Sequence, residues 1–373
     1  MNARRPGVVS PVPSVDVPPA SPLILVTGGT GYIGSHTCVC LHEADFRVLV
    51  VDDLSNSEAA VLDAIEAVSG QRPLFEQGDI LAPGFLDAVV DRYRPAAAIH
   101  FAGVKSVAES ARDPLRYYAI NVAGSIGLAN ALARHGGPRI VFSSSATVYG
   151  EPDSLPLRED HPLRPESAYG RSKMMVEMML ADVCAGDARA GVVALRYFNP
   201  IGAHDSGRLG DSPLGEPENL VPYLGRVANG TLQRLRVFGG DYPTPDGTCV
   251  RDYVHVMDLA EAHVAALHSV QSASGHRVIN IGTGVGTSVL DLVGAYAAAS
   301  GCDLPYTIVA RRSGDVACYY ADPQAASDTL HWTSKRGLGE MCADAYRHVA
   351  HGGGKPWQRR PDAIGRTEPL SPG

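Results

Sequence analysis

The sequence predicts an α/β protein, a doubly wound parallel sheet followed by a smaller mixed α/β domain on the C-terminal side. Short apolar segments alternate with helix-length segments through the first half of the chain. A glycine-rich turn separates the first apolar segment from the first helix, and the texture becomes loop-rich and dense in Gly and Pro after Asn199-Pro200. Such alternation calls for crossovers between parallel strands, because parallel neighbours cannot be joined by a tight turn.

The first ordered segment, Leu23-Ile24-Leu25-Val26, is short and continuously apolar, as buried strands are. It runs into Gly28-Gly29-Thr30-Gly31-Tyr32-Ile33-Gly34 before a helix that begins near Ser35, giving strand, glycine turn and helix. A second strand, Arg47-Val48-Leu49-Val50-Val51, ends on Asp52-Asp53. Further strands are expected at Leu74–Glu76, Ala97–Phe101, Arg139–Phe142 and Val192–Arg196, with helices at about 57–68, 84–92, 117–135 and 168–184. Helical texture returns at Met257–Val270 and near Ser288–Ala299. The sheet domain is expected over 22–198 and the smaller domain over 199–350, with a soft boundary and some segments returning to the first domain. Residues 1–20 are rich in Pro, Val and Ser, with no apolar core behind Arg4-Arg5 of the kind a signal peptide carries, and read as a disordered extension. Residues 352–373 read as a flexible tail.

Composition narrows the function classes. Of the 373 residues, 45% are hydrophobic and 19% charged, which is ordinary for a soluble enzyme, and no apolar run approaches the roughly 20 residues that span a bilayer. A net charge of -8 argues against nucleic-acid binding, which needs clustered cations against phosphates. The seven cysteines are odd in number and scattered, with no Cys-x-x-Cys pair, as expected of reduced thiols in a cytoplasmic protein. None of the thirteen histidines sits in a metal-ligand spacing, so no metal is expected.

Gly28-x-x-Gly31-x-x-Gly34 lies where glycine lets a backbone turn tightly and approach a pyrophosphate at a helix N-terminus, the Rossmann-type arrangement. Alone, such a turn is also compatible with a plain loop. Asp52 and Asp53, 18 and 19 residues beyond Gly34, stand where a carboxylate accepts hydrogen bonds from a ribose and repels a 2′-phosphate, which favours NAD over NADP. Spacing does not say which of the two does so and which merely caps a turn. Tyr169 and Lys173 open a predicted helix and lie one turn apart on one face. An isolated pair of this spacing also describes two solvated side chains. Ser143-Ser144-Ser145-Ala146-Thr147, at the end of the preceding strand, changes that reading, because ligands meet open α/β sheets at strand ends. Three polar groups converging beside a dinucleotide form a proton-transfer site.

With these motifs assembled, the chain resembles the extended short-chain dehydrogenase/reductase family, and within it the UDP-galactose 4-epimerases, from about Ile24 to Asp344. The resemblance runs through Val-Thr-Gly-Gly-Thr-Gly-Tyr-Ile-Gly-Ser-His (26–36), Ile-His-Phe-Ala-Gly (99–103), Phe-Ser-Ser-Ser-Ala-Thr-Val-Tyr-Gly (142–150), Leu-Arg-Tyr-Phe-Asn-Pro (195–200), Val-Arg-Asp-Tyr-Val-His-Val-Met-Asp-Leu-Ala (250–260) and Arg-Arg-Ser-Gly-Asp (311–315). It implies an NAD-binding Rossmann domain over 22–198 and a UDP-sugar-binding domain over 199–350. Around NAD it places the glycine turn with Tyr32 and Ile33, the strand end with Asp52, Asp53, Asn56 and Ser57, then Asp79, Ile80, Phe101, Ala102, Gly103, Lys105 and Asn121. Ser145, Tyr169, Lys173 and Phe198 would line nicotinamide and sugar. Thr147, Asn199, Asn219, Leu220, Phe238, Arg251, Arg312, Asp315 and Tyr319 would hold the nucleotide sugar. Family members often carry two asparagines where this chain has Ile120-Asn121, and Lys where it has Arg171.

The implied reaction interconverts UDP-glucose and UDP-galactose by oxidation at C4, rotation of the 4-keto sugar and re-reduction, with NAD tightly bound and regenerated in each turnover. Tyr169 would be the base, Lys173 its electrostatic support and Ser145 the orienting hydroxyl. Lowering a phenol from a pKa near 10 by about three units takes roughly 4 kcal/mol of preferential stabilisation of the phenolate. Tyr319 would crowd an N-acetyl group. A related pentose, uronate or N-acetylhexosamine 4-epimerase is the alternative. A dehydratase on this scaffold uses carboxyls from a Thr-Asp-Glu run, where this chain has Ser145-Ala146-Thr147. A non-catalytic NAD-binding regulator would have no use for the three proton-transfer groups. The resemblance also implies a homodimer built on the helices around 117–135 and 168–184.

Overall fold

Alternate residues of the first strand bury into opposite layers, Ile24 and Val26 into one hydrophobic cluster and Leu23 and Leu25 into another, so this strand needs helices on both sides. A computed structural model describes residues 21–352 apart from 215, 216, 218 and 313. The extension expected over 1–20 and the tail beyond Gly352 lie outside the described residues.

In chain order the first part runs β1 (Leu23–Thr27), α1 (Tyr32–Glu43), β2 (Arg47–Asp52), α2 (Ala60–Ser69), β3 (Leu74–Gln77), α3 (Phe85–Tyr93), β4 (Ala97–His100), α4 (Val107–Arg112), α5 (Pro114–Tyr117), α6 (Gly124–Ala133), β5 (Arg139–Ser145), α7 (Ala168–Gly186) and β6 (Gly191–Tyr197). The rest runs β7 (Asn199–Ile201), α8 (Leu220–Ala228), β8 (Leu235–Phe238), β9 (Val250–His255), α9 (Val256–Ser272), β10 (Gly275–Ile281), β11 (Gly286–Ser288), α10 (Val289–Ser300), β12 (Tyr306–Val309), β13 (Cys318–Tyr319), α11 (Gln324–Leu330) and α12 (Leu338–Ala350).

Seven parallel strands form one sheet in the order β10-β6-β5-β4-β1-β2-β3. The order reverses between β1 and β4, and a crevice opens there at the strand C-termini. One face packs on α1, α2 and α9 through Val39, Leu62, Ile65, Leu259 and Leu267; the other packs on α3, α6 and α7 through Leu86, Val90, Leu128 and Leu180. A smaller layer holds its own core, with Leu224, Val237, Tyr253, Leu292, Tyr296 and Met341 buried among α8, β8, β9, α10 and α12. No helix among the described residues is long and apolar enough to cross a membrane.

Two of the differences from the sequence expectation concern the elements around the large sheet. The helix expected over 117–135 is α5, a π-helical turn over Tyr118–Ala123, and α6. Asp113 caps α5 at Arg116 N with Pro114 in its first turn, so the segment starts earlier, and the π turn carries Asn121 inward. The seventh strand, β10, was not expected. Its first half is polar and only partly buried, as an edge strand can be, so it has no continuous apolar signature. With α9 packed against α1, β5 and β6, the chain crosses back to the large sheet after residue 255.

Candidate active site

The loops that follow β1 and β4 meet at the switch point. Gly28 turns there with φ +73°, and a Cβ on it would lie 2.7 Å from the Ala102 nitrogen. A Cβ on Gly34 would lie 2.3 Å from the Gly28 carbonyl oxygen, so both glycines are required by the approach of backbone to backbone. Gly31 caps α1 with no side-chain hydrogen bond and no acidic residue in the first turn, which leaves a helix N-terminus fit for an anion. Tyr32 closes one side by donating from its hydroxyl to the Gly202 carbonyl at 2.7 Å. Asp52 at the end of β2 accepts from Leu54 N (3.0 Å) and Ser57 Oγ (3.3 Å) on one oxygen and from Thr30 N (3.2 Å) on the other. Its neighbour Asp53 is exposed and accepts from Ser55 N, a turn contact. Asp52 is therefore the carboxylate joined to the glycine turn. Helix terminus, close-approach glycines and strand-end acceptor together fit a dinucleotide.

Ser145, Tyr169 and Lys173 come together beside this crevice, all buried. The Ser167 side chain caps α7 at Gly170 N and thereby fixes the start of the helix two residues before Tyr169. Lys173 Nζ donates to the Ser143 carbonyl at 2.8 Å and lies 5.9 Å from the centre of the Tyr169 ring. Ser145 Oγ accepts from Thr147 Oγ1 at 3.0 Å and lies close enough to the Tyr169 phenol to favour its ionised form. Burial pushes the Tyr169 phenol up to about 12, against the Ser145 hydroxyl that favours the phenolate, with Tyr319 adding to the rise. Burial lowers the Lys173 ammonium to about 8, with Glu177 opposing. The depression expected from Lys173 together with a positive nicotinamide ring is not supplied by the chain's own groups alone. Desolvation of the anion outweighs the Ser145 hydroxyl, and positive charge must be added beside Tyr169 to ionise it near neutral pH.

Asn121 spends its amide on the protein, accepting from Val104 N at 2.9 Å and donating to the Val104 carbonyl (3.0 Å) and Ser172 Oγ (2.9 Å). It braces the loop that contains Gly103. Of the remaining expected contacts, Asp79 caps a turn at Leu81 N, Ile80 packs beneath Gly124, and Asn56 and Lys105 are exposed.

On the facing layer, the Tyr319 hydroxyl donates to Asn199 Oδ1 at 3.2 Å, its ring packs 5.5 Å from that of Phe198, and the Arg251 guanidinium lies 4.8 Å above it. Asp315 stands 3.8 Å from Arg251, and the Arg312 guanidinium covers the Phe238 ring at 3.9 Å. Asn219, at the start of α8 beside Leu220, donates to Asp211 at 3.2 Å. Two cations, stacked aromatic faces and an amide facing a redox-type crevice suit a molecule that carries a diphosphate and a flat ring.

Three neighbours of the site escaped sequence reasoning. Thr30 bonds both Asp52 and Ser57 and so ties the glycine turn to the acidic loop. Tyr117 stands edge-on to Tyr169 at 6.5 Å, and Tyr197 bonds Ser143 through its hydroxyl. Thr30 and Tyr197 had a signal, their places inside the glycine motif and the Leu-Arg-Tyr-Phe-Asn-Pro run, and Tyr117 had none.

Residues 24–282 match the model of the NAD dependent epimerase/dehydratase family. A UDP-glucose 4-epimerase of Neisseria meningitidis serogroup C is 50% identical over 329 residues, covering 88% of this chain and 97% of the relative. The crystal structure of UDP-glucose-4-epimerase from Stenotrophomonas maltophila, with bound NAD and formylated UDP-arabinopyranose, is similar at a TM-score of 0.86 and 44% identity, over 89% of this chain and 98% of that one. The UDP-glucose 4-epimerase of Bifidobacterium longum, in complex with NAD+ and UDP, has a TM-score of 0.86 at 41% identity, over 88% and 98%. Identity at that level along nearly the whole length of each relative, on a superposable fold, makes this chain a member of the NAD dependent epimerase/dehydratase family.

Proposed function

We propose that this chain interconverts UDP-glucose and UDP-galactose, an isomerase that uses NAD to invert C4 of the hexose. The observation that carries the reading is the convergence of Ser145, Tyr169 and Lys173 beside a dinucleotide cradle, in a chain 50% identical to a UDP-glucose 4-epimerase along nearly that relative's whole length.

The helix terminus at Gly31 would hold the pyrophosphate of NAD, and Asp52 would accept from its adenosine ribose. Bound NAD would supply hydride acceptance from C4, hydride return to it and positive charge at the site. Ser145 and Tyr169 grip the C4 hydroxyl, and Tyr169 Oη, as phenolate, takes its proton. Lys173, held by the Ser143 carbonyl, keeps positive charge near the phenolate. Arg251 and Arg312 clamp the diphosphate while Phe238 offers a ring face to the uracil. The anchor therefore lies far from the reacting carbon. The 4-keto sugar is held only by Ser145 and Tyr169, so it can turn about the phosphate linkage and present its other face, where Tyr169 returns the proton. No net redox change occurs, so the cofactor stays in its site from one turnover to the next.

Purified protein, without added NAD, should convert UDP-galactose to UDP-glucose. Failure to do so with cofactor demonstrably bound would sink the reading. We further propose a homodimer on the adjoining helices α5, α6 and α7, where Leu115, Ile126, Met175 and Met178 leave apolar side chains exposed. Monomeric sedimentation at micromolar concentration would contradict it. The seven free cysteines support a reducing, cytoplasmic setting.

A further inference from the structure

Directly behind the proton-transfer site lies a buried ion pair that the mechanism so far does not use. Glu177 on α7 and Arg196 on β6 are joined through Nη2 and Oε2 at 2.6 Å, with both side chains 4% exposed. Arg196 Nε reaches both carboxylate oxygens, at 3.0 and 3.2 Å, and Nη1 donates to the Tyr149 hydroxyl (3.0 Å) and the Glu159 carbonyl (3.2 Å). Oε1, the oxygen that Arg196 Nε reaches at 3.0 Å, also accepts from Ser144 Oγ. A buried pair of this kind rarely stabilises a fold more than apolar residues of the same volume would, so stability alone is a poor reason for it.

Its position suggests another. Glu177 is four residues beyond Lys173, one turn along the same face of α7. Ser144 lies between Ser143, whose carbonyl receives Lys173, and Ser145, which stands by the Tyr169 phenol. We propose that Glu177 is a positioning residue for the proton transfer: it holds the end of β5 in register through Ser144 and sets its negative charge against the ammonium of Lys173, with Arg196 moderating that charge. The proposal rests on the epimerase reading of Ser145, Tyr169 and Lys173. Glu177 is the group that opposes the fall of the Lys173 ammonium on burial. Facing Lys173 and Tyr169 from other elements are His100 on β4, Tyr117 on α5, Tyr197 on β6 and Tyr319 on β13. Burial holds His100 neutral, down to about 3, and raises the three phenols, so none of the four is anionic near neutral pH. Glu109, behind Tyr117, is paired with Arg116, and His276 on β10 faces Glu177 itself.

The sign of the effect is fixed. Removing the anion favours both the Tyr169 phenolate and a neutral Lys173, so Glu177→Gln should move both limbs of the pH profile of kcat to lower pH, by about half a unit or more. Removing the cation does the reverse, and Arg196→Gln should move both limbs upward. Glu177→Asp keeps the charge and should leave the limbs in place even where kcat falls. Profiles measured on purified holoenzyme decide it, with Tyr169→Phe run in parallel. Opposite shifts from the two neutralising variants support the proposal, and either variant alone is informative. Limbs that superimpose on wild type overturn it, as does failure of both variants to fold, which would make the pair a structural brace. An active Tyr169→Phe would instead sink the epimerase mechanism itself.

Discussion

The Lys173 ammonium is held 2.8 Å from the main-chain carbonyl of Ser143, so the helix carrying the base is tied to the strand carrying Ser145 at the site itself. Lys173→Met removes both that contact and the positive charge near Tyr169. We expect kcat to fall about 10²- to 10⁴-fold, the range of a lost acid–base contribution, with the fold retained by circular dichroism. Activity within threefold of wild type would show that the charge plays no part.

Arg251 is mostly buried and stacked over Tyr319, whereas Arg312 is exposed over Phe238. A charge-assisted hydrogen bond contributes about 1.5–3 kcal/mol, so Arg251→Met should weaken UDP binding roughly 10- to 150-fold. Calorimetric titration with UDP measures this, and unchanged affinity would remove Arg251 from the clamp.

The Tyr319 hydroxyl is spent on Asn199 and its ring is packed on Phe198, so the side chain has little freedom to move aside for a bulkier sugar. Tyr319→Ala should raise turnover of UDP-N-acetylglucosamine relative to UDP-glucose by at least about tenfold, an opened pocket admitting the acetamide. A competition assay with both substrates gives the ratio; equal use of the two by wild type would contradict the steric account.

Much of this site was legible in the sequence because the chemistry sits on regular elements. Gly28, Gly34, Tyr169 and Lys173 have spacings set by a turn or a helix, and the strands from Leu23 to Tyr197 are apolar enough to declare themselves. Contacts made across the fold were not legible. Choosing Asp52 over Asp53 took the position of Thr30 N, and Tyr117 meets Tyr169 from another helix, 52 residues away in the chain. The edge strand Gly275–Ile281 was hidden by its polar first half, Gly275, His276 and Arg277. Glu177 stood in view as the fourth residue after Lys173, but its meaning depended on Arg196 and Ser144 arriving from two other strands.

Burial lowers His36 and His100 to about 3 and His263 to about 4, all from 6.5. Between those values and pH 6.5 the unfolded chain binds protons that the folded chain refuses. Stability therefore rises with pH through this window and is lost as pH falls below about 6.5, by up to about 1.4 kcal/mol per histidine per pH unit. Urea unfolding of the holoprotein at pH 7.5, 6.5 and 5.5 should show a midpoint that drops over the last interval. A flat series would mean that these rings accept protons without unfolding.

The central claim concerns one oxygen, the phenol of Tyr169, and Tyr169→Phe tests it most directly. Purified with its cofactor bound and assayed from both directions, the variant should interconvert UDP-galactose and UDP-glucose at least about 10²-fold more slowly than wild type while binding UDP normally. Interconversion at the wild-type rate would contradict the mechanism.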